Sequence, residues 1–328
     1  MVKWSGADPA GTEAKAPKPK PKRTSGGGTG RSTSQERAKR QLDAAEATQA
    51  QPDEVFYQHS VLAQTSLPYR NPGDGVRVWE RSNGTASLQV AAGSAMHPEL
   101  CRLVPLGLPY GPKPRLILAY LNSEALRCQS PVIEVEDSLT AFVKRLRLST
   151  DGRTIGTIKD QLTRLAASSI TLGLVEGGRA ITVNSRVVTA FDLWLPKEDG
   201  QRVLWPSTVR LSHEYFESLI KHAVPLHDRA LSALSGSAMA LDVYAWLAQR
   251  LHRIEAGRRV LVPWAALKEQ FGWHYDRMDK FKAVFRQTLR DVHSQYRAAA
   301  IELDGRGMTL RHSTPPVASR IVGALPAF

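Results

Sequence analysis

The stretch Thr154-Ile-Gly-Thr-Ile-Lys-Asp-Gln-Leu-Thr-Arg-Leu-Ala-Ala-Ser168, followed by Ser169-Ile-Thr-Leu-Gly-Leu-Val-Glu-Gly-Gly178, decides the fold. Ile158, Leu162, Leu165 and Ser169 recur at helical spacing and mark the inward face of a helix from about Thr154 to Ser168. The pattern then switches to two strands, Ile170 to Val175 and Ala180 to Val183, around Glu176-Gly-Gly178. Upstream, Ser149-Thr-Asp-Gly-Arg153 is a turn. Ser138 to Leu148 reads as a helix with Asp137 as its N-cap, and Val132 and Val135 lie in a short extended piece. Before these, Leu108-Pro-Tyr-Gly-Pro-Lys-Pro114 leads into an apolar helix, Arg115 to Arg127. Helix, short strand, helix, turn, helix, hairpin is the order of a winged helix, whose third helix enters a DNA groove and whose hairpin is the wing. Further upstream, Val76 to Ala92 predicts a hairpin turning at Asn83-Gly84, a pair suited to positive φ.

After Pro225 the same order returns. A long helix spans about Arg229 to Arg253, broken in composition by Ser235-Gly-Ser237. Arg259-Val-Leu-Val262 is extended, Trp264 to Phe271 is helical and stopped by Gly272, and a helix runs from Met278 to Arg297. Ile301-Glu-Leu303 and Met308-Thr-Leu310 flank a turn. Ala119-Tyr-Leu121 matches Ala245-Trp-Leu247 at an offset of 126; Val135 matches Val262, and Leu162 matches Leu289, at 127. A near-constant offset between matching element types argues for two units in tandem. Strands at Val187 to Leu195 and Arg202 to Leu211 stand between them. The expected fold is therefore α+β: tandem winged-helix domains at 53–200 and 201–328, preceded by a disordered basic tail at 1–52.

The charge of the chain agrees with a polyanion as partner. There are 44 Lys and Arg against 31 Asp and Glu in 328 residues, a net charge of +13. The first 50 residues carry +5 of this, much of it in Lys15-Ala-Pro-Lys-Pro-Lys-Pro-Lys-Arg23, a segment that cannot build a core. It reads either as a solubilising tail or as an arm adding loose contacts to DNA phosphates. In the folded part, the last long helix is the most basic: Arg277, Lys280, Lys282, Arg286, Arg290 and Arg297 stand against Asp279 and Asp291. Phe281, Phe285, Leu289 (or Thr288), Val292 and Tyr296 would line its core side, which leaves the cations and Gln287 for DNA. On the first third helix, Arg153, Thr157, Thr163, Arg164 and Ala167 occupy the side away from the core. Arg can read guanine with two hydrogen bonds, while short side chains let the backbone approach.

Several chemistries are not encoded. No Gly-rich loop ends in Gly-Lys-Ser/Thr, and the prolines of Gly111-Pro-Lys-Pro114 remove the N–H groups a phosphate cradle needs. His222 and His227 come closest to ligand spacing but lack a third ligand. Only Cys101 and Cys128 occur, which excludes a disulfide scaffold and suits a reducing cytoplasm. No apolar run reaches about 18 residues, and Met1 to Lys22 is Pro/Lys-rich instead of carrying a secretory apolar region. Neither a catalytic residue, a cofactor nor a metal is expected.

Leu108-Pro-Tyr-Gly-Pro-Lys-Pro-Arg-Leu116, Glu136-Asp-Ser-Leu139 and Gly156-Thr-Ile-Lys-Asp-Gln-Leu-Thr-Arg-Leu165 resemble the plasmid replication initiator RepA family of Gram-negative bacteria. So do Pro225-Leu-His-Asp-Arg-Ala-Leu231, Ala240-Leu-Asp-Val-Tyr-Ala-Trp-Leu247 and Trp264-Ala-Ala-Leu-Lys-Glu-Gln-Phe-Gly272. The resemblance covers roughly Leu108 to Leu310. It implies a protein that binds repeats in double-stranded origin DNA, helps open the duplex and recruits host replication proteins, in keeping with the non-enzymatic, cytoplasmic reading of the motifs and cysteines. The chain further resembles the wider group of two-winged-helix initiators, which implies a dimer that represses its own promoter and a monomer that binds the repeats. The alternatives are a winged-helix transcriptional repressor and an origin nickase or primase.

Overall fold

The computed structural model describes residues 55–97, 100–136, 138–185, 188–190 and 208–317. The expected tail, Asp137 and most of the segment between 187 and 207 lie outside the described residues.

The chain enters with β1 (Val55–His59) and a short helix α1 (Ser60–Gln64). β2 (Val78–Asn83) and β3 (Ala86–Ala91) form the expected hairpin, with one difference in its turn. Asn83 pairs with Ala86, so the two-residue loop is Gly84-Thr85 and not Asn83-Gly84. Gly84 takes φ +58, which suits the first central position of a type II′ turn, where glycine is favoured. A second hairpin, β4 (Ser94–His97) and β5 (Arg102–Pro105), precedes the first long helix.

That helix, α2 (Pro112–Cys128), starts three residues earlier than expected because Pro112 and Pro114 sit in its first turn. There the missing N–H groups cost nothing. β6 (Val132–Glu134) follows, then α3 (Leu139–Arg145), capped by the Ser138 hydroxyl accepting from Ala141 N–H. Ser138, not Asp137, is the N-cap. α4 (Gly152–Ala167) is capped by Asp151 and runs into β7 (Ser169–Glu176) and β8 (Arg179–Ser185). After β9 (Val188–Ala190) and β10 (Thr208–Leu211), α5 (His213–His222) leads into β11 (Ala223–His227). The long helix expected from Arg229 to Arg253 is two helices, α6 (Asp228–Leu234) and α7 (Ala238–Arg250). Ser237 separates them by capping α7 through Ala240 N–H. β12 (Arg259–Pro263), α8 (Trp264–Phe271), α9 (Met278–Gln295), β13 (Ile301–Leu303) and β14 (Gly307–Arg311) complete the described chain.

The second unit has three helices and a sheet in the order β12-β14-β13, so its first strand pairs with the second strand of the wing. The first unit departs from its expected arrangement. β7 and β8 do not close on β6; they extend the first hairpin into a four-stranded sheet, β2-β3-β7-β8. Val90 faces Ile170 and Leu88 faces Leu172 across β3 and β7, and all four are buried. These apolar cross-strand pairs outcompete β6 for the β7 edge. β6 pairs instead with β10, and β10 with β9, which repeats the β12-β14-β13 order with later strands.

Three pairings cross the boundary expected at 200/201: β6 with β10, β9 with β10, and β1 with β11. The core is built around α2 and α7, which are buried along nearly their whole length. The matched residues Tyr120 and Trp246 are both inside it, as are Leu162 and Leu289.

Candidate nucleic-acid interface

α9 buries one face and exposes the other, as its sequence spacing requires. Phe281, Phe285, Leu289 and Val292 are buried, and Tyr296 follows them just past the helix end. The aromatic rings form a continuous set: Trp246 lies 5.4 Å from Phe271, Phe271 5.8 Å from Phe285, and Phe285 6.0 Å from Trp264. Such edge-to-face and tilted ring pairs add to area burial and fix the roll of the helix about its axis.

Gly272 ends α8 and lets this packing close. A Cβ placed there would stand 2.3 Å from the Phe281 ring. Gly272→Ala is expected to cost about 1–3 kcal/mol through overpacking, read as a lower urea midpoint. A midpoint equal to wild type would show that the ring can withdraw freely.

On the outer face Lys280, Arg286, Gln287, Arg290 and Arg297 are exposed, and Lys282 is half-buried. Arg286, Gln287 and Arg290 follow one another at helical-neighbour spacing, with the small Ala283 exposed beside them. Trp264 supports two of the cations from below. The Lys282 ammonium lies 5.1 Å and the Arg286 guanidinium 5.3 Å from its ring centre. Its indole N–H donates to the Asp304 carbonyl at 2.9 Å, tying the wing turn to the same residue. Arg290 donates to Gln287, and Gln287 donates to the largely buried Asp291 at 2.9 Å. Arg277 is paired with Asp279 at 2.6 Å. The guanidinium holds the Asp279 carboxyl below its ordinary range. Arg286, Arg290 and His293 rim a groove of about 500 Å³ whose floor is Leu289, Ile301 and Leu303. The basic helix and the first wing strand thus share one surface.

The corresponding helix of the first unit is less open. Arg153 and Thr157 are exposed near its N-terminus, but Thr163, expected on the outer side, is buried. Arg164 is folded onto the protein. Its Nε donates to Asp160 at 2.9 Å, its guanidinium lies 5.3 Å from the Tyr110 ring centre, and a Cβ on Gly107 would collide with it. Asp160 and Gln161 extend this tether, since the Gln161 side chain accepts from Tyr110 N–H at 2.7 Å. Arg164 therefore holds the 107–110 loop and is not brought together with the exposed cations.

Three features take their roles only from the packing. Trp264 is a core residue and also the platform under two cations. His274 and Tyr275 belong to an aromatic cluster with Tyr69 and Trp273, where burial lowers the His274 pKa. Most consequential is a buried ion pair between the units' first helices. Arg115 on α2 meets Asp242 on α7 through two hydrogen bonds of 2.6 and 2.8 Å. Arg115 also donates to the Gly111 and Leu67 carbonyls, and it lies 5.2 Å from the Tyr69 ring centre. Burial pushes the Asp242 carboxyl up, and the Arg115 charge opposes that. The available signal was Asp242 inside the apolar run 238–248 and Arg115 directly ahead of the apolar run 116–121.

Residues 108–265 match the family model described as plasmid encoded RepA protein. The match runs from just before α2 to the start of α8 and stops short of α9. A crystal structure of selenomethionine derivatives of domains 2 and 3 of RctB aligns with 78% of this chain and 98% of its own, at a TM-score of 0.49 and 10% identity. A second structure of the RctB domains 2–3 covers 76% and 94%, at 0.47 and 11%. No curated protein sequence matches the chain.

Proposed function

With residues 108–265 belonging to the plasmid-encoded RepA family, we propose that the chain is a replication initiator that binds specific double-stranded DNA at a plasmid origin. The observation that carries this reading is the exposed face of α9, where cations and Gln287 stand on a rigid aromatic base beside the wing. Arg286, Gln287 and Arg290 are assigned to base edges. Lys280, Lys282, Arg277 and Arg297 are assigned to flanking phosphates, with Arg153 and Thr157 of α4 as contacts of the first unit. Phosphate contacts supply affinity and register, and the central side chains supply sequence choice. Duplex opening would draw on the deformation imposed when both units engage one site, a cost of a few kcal/mol offset by contacts. Recruitment of host replication proteins and dimerisation at a promoter are further parts of the proposal. No described helix is long and apolar enough to cross a membrane.

Arg286→Ala and Arg290→Ala should each weaken binding to origin repeats by about 1–3 kcal/mol, with a smaller change on random duplex of equal length. Fluorescence anisotropy at fixed salt measures both. Equal losses on the two DNAs would reduce these residues to phosphate contacts. No loss on either would remove α9 from the interface.

A further inference from the structure

A cavity of about 560 Å³ lies beside the C-terminal part of α2, between it, β6 and Arg145 of α3. Three carboxylates and two arginines line it; Glu124 engages both arginines, and Arg145 is shared with Glu136. Arg127 Nε donates to Glu124 at 3.0 Å, and Arg145 stands 3.8 Å from both Glu124 and Glu136. Glu134 is exposed and has no cationic partner among the described residues. Tyr120 is 2% exposed, yet its hydroxyl has no hydrogen-bond partner among the described residues, and it lines this space. Burial, with Glu124 and Glu136 nearby, raises that hydroxyl's pKa well above its ordinary value. Among the described residues the wall formed by β6 is a sheet edge, since β6 is the outer strand of β6-β10-β9.

A ligand that fits must bring positive charge to Glu134 and Glu136, a polar group to Tyr120, and an extended backbone to the β6 edge. Those requirements describe a basic peptide in extended form. The chain contains one. Lys15-Ala-Pro-Lys-Pro-Lys-Pro-Lys-Arg23 carries five cations and no acid. Lys18, Lys20 and Lys22 alternate with Pro17, Pro19 and Pro21, so in an extended conformation all three Lys N–H groups point to one edge.

The chain also joins the fold beside the cavity. The Phe56 ring packs edge-on against Tyr120 at 6.2 Å, and Tyr57 N–H donates to Ser123 Oγ at 2.7 Å. Residues 24–54 are ample to connect the two, and such tethering gives an effective concentration of roughly millimolar.

We propose that the groove of Tyr120, Glu134, Glu136 and the β6 edge is an intramolecular docking site for Lys15–Arg23. Docked there, the lysines are withheld from any polyanion, so the groove and nucleic-acid phosphates compete for the same segment.

Cys128 lines the groove and is exposed, which provides a built-in reporter. In full-length protein carrying Cys101→Ser, a short bis-maleimide would link Cys128 to a cysteine introduced by Lys20→Cys. The control is Ser34→Cys, which lies closer to the fold and would react faster if tethering alone governed the rate. Docking predicts an internal link at least ~5-fold faster from position 20 than from position 34. That advantage should vanish in the Glu134→Gln/Glu136→Gln chain and in about 0.5 M salt. Equal rates, or an advantage that survives either treatment, would overturn the proposal. A product joining two chains would assign the groove to a second copy and overturn it as well.

Discussion

Asp242→Ala is expected to lower folding stability by about 3–5 kcal/mol, because it leaves the Arg115 guanidinium buried without its counter-charge. Both side chains are almost wholly inside the protein, at 6% and 7% exposure, so water cannot replace the lost carboxylate. Two hydrogen bonds to carbonyls would remain on Arg115. Those satisfy its geometry but not its charge. The pair joins α2 to α7, so the damage should spread to the contact between the two units and not stay within one helix. Urea unfolding at neutral pH gives the loss directly. The double variant Arg115→Met/Asp242→Leu separates the possible causes: replacing both charges by apolar groups removes the desolvation cost together with the attraction, and should recover most of the stability. A single-variant loss under about 1 kcal/mol would mean that the pair is effectively solvated, contrary to its burial.

Acid should destabilise the protein through His59. This residue joins β1 to α1, and its Nδ1 accepts from Val61 N–H at 3.2 Å as the helix cap. The proton therefore sits on Nε2, which donates to Ser218 Oγ at 3.0 Å. Tyr215 stacks on the ring at 5.7 Å and His222 lies 5.9 Å away. Burial, reinforced by the neighbouring His222, pulls the His59 pKa down to about 3. The folded state thus keeps His59 neutral while the unfolded chain protonates near pH 6.5. Its contribution is complete above pH 6.5 and is lost as pH falls from there toward 3, with a deficit of roughly 2 kcal/mol at pH 5. His59→Asn retains an N-cap acceptor and removes the titration. Comparing the two proteins by urea unfolding between pH 7.5 and about pH 5 isolates the effect: the wild-type curve should fall more steeply, and parallel curves would rule His59 out.

Local reading worked where local physics was decisive. Trp264 to Phe271, stopped by Gly272, appears in the structure with those bounds. Phe281, Phe285 and Val292 are buried on the face their spacing assigned to the core. The short pieces were harder. β1, α1, α5 and β11 were not read from the sequence, because each has ten residues or fewer and takes its stability from partners far along the chain. Ser212 before Tyr215, Phe216 and Leu219 was a usable signal for α5, since its hydroxyl does accept from Tyr215 N–H.

Arg164 illustrates a limit of another kind. Helical spacing placed it away from the apolar stripe. The side of a helix that turns from its own core can still meet another segment, however, and here Asp160 and the 107–110 loop take the guanidinium.

By itself the sequence determined the long helices, the repeat that sets α2 against α7 and α4 against α9, and the basic outer face of the last helix. Periodicity, caps and composition act within a few turns of chain, so they are legible in one dimension. Only the tertiary structure decided that β7 pairs with β3, that β10 pairs with β6, and that Arg115 finds Asp242. Strand edges and buried charges choose partners by complementarity across more than fifty residues, and spacing alone carries no record of that choice.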